Sequence, residues 1–407
     1  MNRSRNEQVA FQLRESGLDA LVCTLPKNVL LLSGYWPVVG TGAAIALPDG
    51  EVRLIIPEDE QEFAVQSRAS NVQTFNPSSL EKLTNPTEAI LEPLRVHLRQ
   101  FGEHHRIGYE HGADSEPASY AAMHLYQSTM PELIAKAAPG ANIIAADLLL
   151  KKLRSIKTED ELSAIRMACR IAQHGFEQGV KAISPGNTEI EAAAEIRAHF
   201  VAGLRRSPGV RRAEAFVFVM SGKNSAKAHG AFAHSSRKTI ETGDLVLVHC
   251  NSAADGYYTD ITRTFVLGSP DAQCRAMYDA VFSARKAALH QIRAGSNAAD
   301  VDRAARTVMS QAGFGANFKH ATGHGVGFGA INPGALPRLH PKSNDVLEPG
   351  MVFNVEPAIY IQGYGGIRHC DMVAVTDDGF ELLTPFQSQP LSLMLGTVTP
   401  APGSRPC

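Results

Sequence analysis

The feature that most restricts what this chain can fold into is a repeat of itself at long range. ISPGNTEIEAAAEIRAHFVAG from Ile183 and IRAGSNAADVDRAARTVMSQAG from Ile292 share one plan, a helix end, a glycine turn and a new amphipathic helix. GDLVLVHC from Gly243 and PGMVFNVEP around Gly350 are also matched. The two pairs are shifted by nearly the same distance, roughly 109 and 107 residues, as a duplicated unit requires. Two copies of a helix-helix-strand unit build a pseudo-symmetric domain. His249 and Glu356, each six residues beyond its glycine, then face each other across its centre. Polar residues at matched strand ends predict a central site.

The stretch from Gly243 to Gly268 reads as a hairpin, with strands DLVLVHC and GYYTDITRTFV joined through Asp255-Gly256. Alternation puts Leu245, Leu247 and His249 on one face, and groups Asp260 with Tyr258 and Thr262. A carboxylate inside so apolar and β-branched a run needs a metal, a cation or a hydrogen-bond network, because an unpaired buried charge costs several kcal/mol, on the order of the ion-burial penalty. Three more polar clusters are expected at the same centre. SGKNSAKAHG carries His229, HATGHGVGFG carries His320 and His324, and GGIRHCDMVAVT carries Arg368, His369, Cys370 and Asp371. Histidines and carboxylates on several strands suit a metal site or an acid-base site.

Thr158 to Glu161 and Thr188 to Glu191 are capping-box signatures that open long helices. Before them, a helical QVAFQLRESG leads to apolar DALVCTL, then VLLLSGY, then an alternating AAIALPDGEVRLIIP with an Asp-Gly turn, and AAPGANIIAADLLLKKLRSIKT closes the segment with a strand, a helix and a connection. This mixture implies a sheet covered by helices. The chain is therefore expected to hold two domains, 1–150 and 151–407, and its 407 residues suffice for two cores. A net charge of -2 gives no argument for nucleic acid or an anionic membrane. No apolar run reaches the roughly 20 residues of a membrane span, and the N-terminal stretch lacks a signal-peptide core. Six cysteines (Cys23, Cys169, Cys250, Cys274, Cys370, Cys407) without framework spacing suit free thiols in the cytoplasm.

From about Leu153 to Phe386 the chain resembles the pita-bread superfamily of aminopeptidase P, prolidase, methionine aminopeptidase and creatinase. The resemblance rests on DGYYTDITRTF, HATGHGVG, LEPGMVFNVEP and GGIRHCDMVAVT in combination, and the first 150 residues resemble the creatinase-type N-terminal domain. It implies an α/β (α+β) class: a pita-bread catalytic domain with an internal pseudo-two-fold repeat behind a mixed-sheet domain. It also implies a homodimer acting on small-molecule or short-peptide substrates.

Family peptidases hold two divalent ions with Asp, Asp, His, Glu and Glu. By this resemblance Asp260, His324 and Glu356 match the second, third and fourth ligands, while His249 and Cys370 stand at the first and fifth. His229 matches the histidine that binds the scissile carbonyl, and His320 and Arg368 match supporting positions. Ile331 replaces a second active-site histidine, and losing such a donor typically costs about 10²- to 10³-fold in rate. Two carboxylates poorly neutralise two ions that a carboxylate bridge should hold about 3.5–4 Å apart. The expectation is one divalent ion or none, with His249, Asp260, His324, Glu356 and Cys370 as metal ligands. Imidazole and thiolate select zinc over manganese. His229, His324, Glu356 and Arg368 are the expected catalytic residues of an Xaa-Pro peptidase-like hydrolase of a peptide, amide or related C–N bond. The alternatives are a metal-free, creatinase-like hydrolase of a small non-peptide substrate, and a non-catalytic pseudo-peptidase. Beside His249, Cys370 is open to three roles: metal ligand, nucleophile or inert thiol.

Overall fold

The computed structural model describes residues 3–38, 40–77, 80–81, 85–111, 129–230, 234–332, 334–387 and 394–395. It divides into two compact units, Met1–Glu159 and Asp160–Cys407. Among the described residues no helix is long and apolar enough to cross a membrane.

In the first unit α1 (Arg5–Ser16), β1 (Ala20–Cys23), α2 (Pro26–Ser33), β2 (Ala43–Ala46), β3 (Val52–Pro57) and β4 (Asn71–Phe75) are followed by α3 (Pro86–Leu98), β5 (Arg106–Tyr109), α4 (Met130–Ala137), β6 (Asn142–Ala145) and α5 (Asp147–Ser155). The sheet runs β4-β3-β2-β1-β5-β6. It is mixed, antiparallel at β1–β2 and β2–β3 and parallel at the other pairings. Val22, Ile45 and Ile107 pack with Ile90, Leu94 and Ile134 of α3 and α4 to form its core. The apolar VLLLSGY run is helical rather than extended, because Pro26 begins α2 and Gly34 ends it in the left-handed region. Leu25 cannot cap that helix. Glu110, beyond β5, does so from a distance, accepting Leu25 N at 2.6 Å and Asn28 Nδ2 at 2.6 Å.

The second unit begins with α6 (Glu159–Gly179), α7 (Glu189–Ala202), β7 (Ala213–Ser221), β8 (Leu245–Ala254), β9 (Tyr257–Tyr258) and β10 (Ile261–Leu267). It continues with α8 (Ala272–His290), α9 (Ala298–Gln311), β11 (Val352–Val355), β12 (Ala358–Ile361), β13 (Gly365–Arg368), β14 (Asp371–Val375), β15 (Phe380–Leu382) and β16 (Met394–Leu395). Its sheets run β16-β10-β8-β7, β11-β14-β15 and β12-β13. The internal repeat is written into the backbone. Thr188 caps α7 and forms a bridge to Thr239, and Asn297 caps α9 and forms a bridge to Val346. Gly186 N donates to Ile240 O at 3.1 Å, and its counterpart Gly295 N donates to Leu347 O at 2.8 Å. Two chain segments that each open a 14-residue helix with a side-chain cap and a bridge fold to the same local geometry.

The hairpin forms with Asp255 at φ 45° and Gly256 at φ 86°, both positive as a tight primed turn requires. The β8–β10 register pairs His249 with Thr262 and Cys250 with Ile261, so His249, Asn251, Asp260 and Thr262 share one face. The ladder pauses at Thr259 and Asp260 without slipping, since Ala253 still pairs Tyr258 beyond the pause. A bridge between Thr262 and Cys370 joins β10 to the β13–β14 junction. That bridge brings the two halves of the repeat to one centre.

Candidate active site

Asp260 is the hub of the centre. Its carboxylate is buried, with Oδ2 3.5 Å from His324 Nε2 and Oδ1 3.8 Å from His249 Nδ1. Cys370 Sγ lies 3.8 Å from Oδ1 and donates to the Asp260 backbone carbonyl at 3.1 Å. Asn354 of β11, which the sequence reading passed over, holds both partners. Its Nδ2 donates to Asp260 Oδ2 at 3.2 Å, while its Oδ1 accepts His324 N at 2.7 Å. His324 can be clamped this way because its neighbours are glycines: a Cβ on Gly323 would meet Asn354 O at 1.9 Å, and one on Gly325 would meet Leu336 O at 2.1 Å. His324 Nδ1 faces the Gly325 carbonyl at 3.2 Å, which can only accept, so Nδ1 carries a proton, and Nε2 faces Asp260.

Burial drives the charge states. It pushes the Asp260 carboxyl up, against His324 and Arg368. Burial also pushes Glu356 up to about 8, opposed by Arg368 and reinforced by Asp260. His249 is driven well below its ordinary value by burial and by Arg368, and Cys370 well above its own by burial, Asp260 and Glu356. These directions oppose a thiolate–imidazolium pair and favour a neutral thiol beside a neutral ring. His249 is also engaged elsewhere, with Nδ1 2.9 Å from Thr262 Oγ1 and Nε2 3.2 Å from Asn251 Oδ1.

Arg368 ends β13 and is buried. Its Nε donates to Thr262 Oγ1 at 3.0 Å and its Nη1 to Tyr360 OH at 3.4 Å, while Glu356 Oε2 stands 4.0 Å away. Tyr360 OH also lies 3.0 Å from His320 Nε2. Since His320 Nδ1 donates to Ala321 O at 2.8 Å, the tyrosine donates to Nε2 of a neutral ring, which burial and Arg368 hold at about 3. His229 is exposed, with its ring 5.3 Å from that of Tyr360. Its loop hangs on Glu189 at the start of α7. Buried Glu189 accepts Ser221 N (2.6 Å), Ser221 Oγ (3.0 Å), Asn224 Nδ2 (3.1 Å), Ser236 N (2.9 Å) and Ser236 Oγ (2.7 Å). Nothing local marks Glu189 for this, because its partners lie 32 to 47 residues away.

His369 and Asp371 do not join the centre, a correction to the expectation that all of GGIRHCDMVAVT points there. Alternation along the strand turns them to the opposite side from Arg368 and Cys370. There Asp371 accepts Arg263 Nη2 at 2.7 Å, Arg285 Nε at 2.5 Å and Thr384 Oγ1 at 2.9 Å. Ile331 is half-buried and supplies no polar group.

The donor set does not fit a pair of divalent ions. Asp260 and Glu356 are its only carboxylates, a buried guanidinium stands beside Glu356, and His249 and Cys370 already spend their polar atoms on protein partners. As the side chains stand, no group of three or more His, Cys, Asp or Glu among the described residues is arranged to hold a metal ion.

Residues 163–377 match the model of metallopeptidase family M24, and residues 5–156 match the creatinase/prolidase N-terminal domain. An Xaa-Pro dipeptidase of Pyrococcus furiosus is 30% identical over 384 residues, covering 94% of this chain and 98% of the relative. A prolidase from Pyrococcus horikoshii superposes with a TM-score of 0.74 at 28% identity, over 94% of this chain and 98% of that one. An Xaa-Pro dipeptidase from Bacillus anthracis superposes with a TM-score of 0.75 at 27% identity, over 96% and 99%.

Proposed function

Because the chain belongs to metallopeptidase family M24, with a creatinase/prolidase N-terminal domain, we propose that it is an Xaa-Pro peptidase-like hydrolase of peptide or related C–N bonds in small substrates. The observation that carries this reading is the convergence of His324, His249 and Cys370 on the Asp260 carboxylate beside Glu356 and Arg368. Such a cluster of ionisable groups has no use in a pure binding module.

The chain's own residues supply the steps of amide hydrolysis. His324 Nε2, with Asp260 alongside, takes a proton from attacking water, and Asp260 stabilises the imidazolium. Exposed His229 donates to the oxyanion. Glu356, which holds its proton through neutral pH, delivers it to the leaving nitrogen. Arg368 and Tyr360 brace that carboxyl and His320.

A one-ion site is the second reading, favoured by the 3.5 Å approach of His324 Nε2 to Asp260 Oδ2. Asp260 and His324 would hold such an ion, with His249, Glu356 and Cys370 next to it; imidazole and sulfur select zinc over manganese, and the ion would polarise water or the scissile carbonyl. We further assign the protein to the cytoplasm as a homodimer, supported respectively by the five buried free cysteines and by resemblance to the family. The sixth, Cys407, lies outside the described residues.

Elemental analysis of purified protein with Xaa-Pro dipeptide assays tests the scheme. At most about one divalent ion per chain is expected, since two carboxylates cannot neutralise two ions. Two stoichiometric ions would refute it. Cys370→Ser with a chelator then sorts the roles of the thiol: losses with both mark a ligand, loss with the variant alone a nucleophile, and loss with neither an inert side chain.

A further inference from the structure

The capped helices of the two repeat halves, α7 and α9, each carry a buried carboxylate that grips a segment bearing a histidine of the centre. In the first half it is Glu189, bound to the loop of His229. In the second it is Asp302, fully buried and one turn further along α9 than Glu189 is along α7. Asp302 Oδ1 accepts Thr322 Oγ1 at 2.7 Å and Thr322 N at 3.0 Å. Arg306 locks that carboxylate, donating Nε to Oδ2 at 2.6 Å and Nη2 to Oδ1 at 3.2 Å. It spends further donors on the same segment, Nη1 on Phe318 O at 3.2 Å and Nη2 on His320 O at 2.5 Å. Its guanidinium also lies over the Phe318 ring, 4.6 Å from the centroid.

What the pair holds is the segment that links His324 to Glu356. Thr322 lies midway between His320 and His324, and its carbonyl accepts Glu356 N at 2.8 Å. A shift of Thr322 therefore reaches His324 along the chain and Glu356 across that hydrogen bond. Thr322 N is also anchored by Leu339 O at 2.9 Å, whereas its hydroxyl goes to Asp302. A buried ion pair is often no more stable than well-packed apolar side chains of the same volume, so stability does not account for placing one here. Apolar side chains could not fix the Phe318 and His320 carbonyls and both donors of Thr322 at once.

We propose that Asp302, locked by Arg306, is a positioning residue for the reaction: through Thr322 it sets the base His324 and the acid Glu356 at their working separation. The inference rests on the hydrolase reading for those two roles. Fully buried, Asp302 does not itself meet the substrate. Its effect on rate comes from geometry, where a misplacement of about 1 Å costs about 10²-fold.

Kinetics of full-chain variants on alanyl-proline, read with amide hydrogen exchange, test this. Thr322→Val keeps the shape of threonine without its hydroxyl, and Thr322→Ser keeps the hydroxyl. The Val variant should lose about 10-fold in kcat, the scale of one hydrogen bond to a charged group, with KM within about three-fold; the Ser variant should retain kcat within about three-fold. Asp302→Asn removes the charge that Arg306 locks, and should lower kcat about 10²-fold while exchange quickens at residues 318–324 and Glu356 relative to β8. Met309→Ala is the control, since it empties a buried apolar position on the same helix, deletes no hydrogen bond to the segment and should leave kcat unchanged. Should the Asn variant not fold, the Val and Ser variants decide. Equal kcat in those two overturns the proposal, as does unchanged exchange in Asp302→Asn, or a loss in Met309→Ala as large as that in Asp302→Asn, which would mark a role in stability alone. Wild-type protein that leaves alanyl-proline intact sinks the hydrolase reading instead, and the exchange pattern then still judges the hold of Asp302 on Thr322.

Discussion

Replacing Asp371 by asparagine should be among the most damaging single changes to the second unit, although the residue points away from the site. The side chain is fully buried and is shared by Arg263 and Arg285. Asn keeps the size and one acceptor but removes the charge, leaving two buried guanidiniums facing an amide. Arg263 retains the carbonyls of Cys370, Thr384 and Phe386 and the Phe386 ring, which soften the loss without neutralising it. Breaking a buried pair costs about 3–5 kcal/mol, and with two cations stranded we expect about 4, or roughly 10³-fold in the folding equilibrium. Urea unfolding followed by far-UV circular dichroism measures it. The only tryptophan, Trp36, lies in the first unit, so its fluorescence serves as the control transition. The pH dependence gives a second check. Burial acts to raise the Asp371 carboxyl, but Arg263, His369 and Arg285 outweigh it and hold the group well below its ordinary value of 3.8. Since the folded group binds its proton less readily than the unfolded one, its stabilisation is present above pH 3.8 and is lost as pH falls below it. The Asn variant has no such carboxyl, so the gap to wild type should narrow on acidification. A loss below about 1 kcal/mol, the scale of a surface pair, or a gap that does not narrow, would refute the reasoning.

Two further outcomes follow from the site. With Glu356 donating its proton, kcat should fall as pH rises through about 8, and Glu356→Gln should lower it about 10²- to 10⁴-fold while leaving the protein folded; a pH profile with no falling limb there would show that Glu356 is not the acid. Glu189→Ala strands the donors of Ser221, Asn224 and Ser236, so the His229 loop should lose register, with kcat down about 10²-fold and faster amide exchange at Ser221 and Ser236; unchanged exchange would mean that Glu189 does not hold that loop.

The amino-acid sequence by itself determined the duplicated helix-helix-strand plan, the Asp-Gly hairpin, the Thr188 cap and the family. Its resemblance to the family further implies that His249 and Cys370 stand where carboxylates would be expected. These are readable because periodicity, capping and tight turns depend on neighbours a few residues apart, and because residue type alone sets how much charge a site can neutralise. Only the tertiary structure decided how each side chain is spent. Arg368 reaches Thr262, 106 residues away; Arg263 reaches Asp371, 108 away; Asn354 reaches Asp260, 94 away. The motif GGIRHCD reads as one polar cluster, yet strand alternation sends Arg368 and Cys370 to the site and His369 and Asp371 to an ion-pair core. The protonation of Glu356 and the neutrality of His249 were likewise beyond the sequence, because both follow from burial, and burial is a property of the assembled sheets.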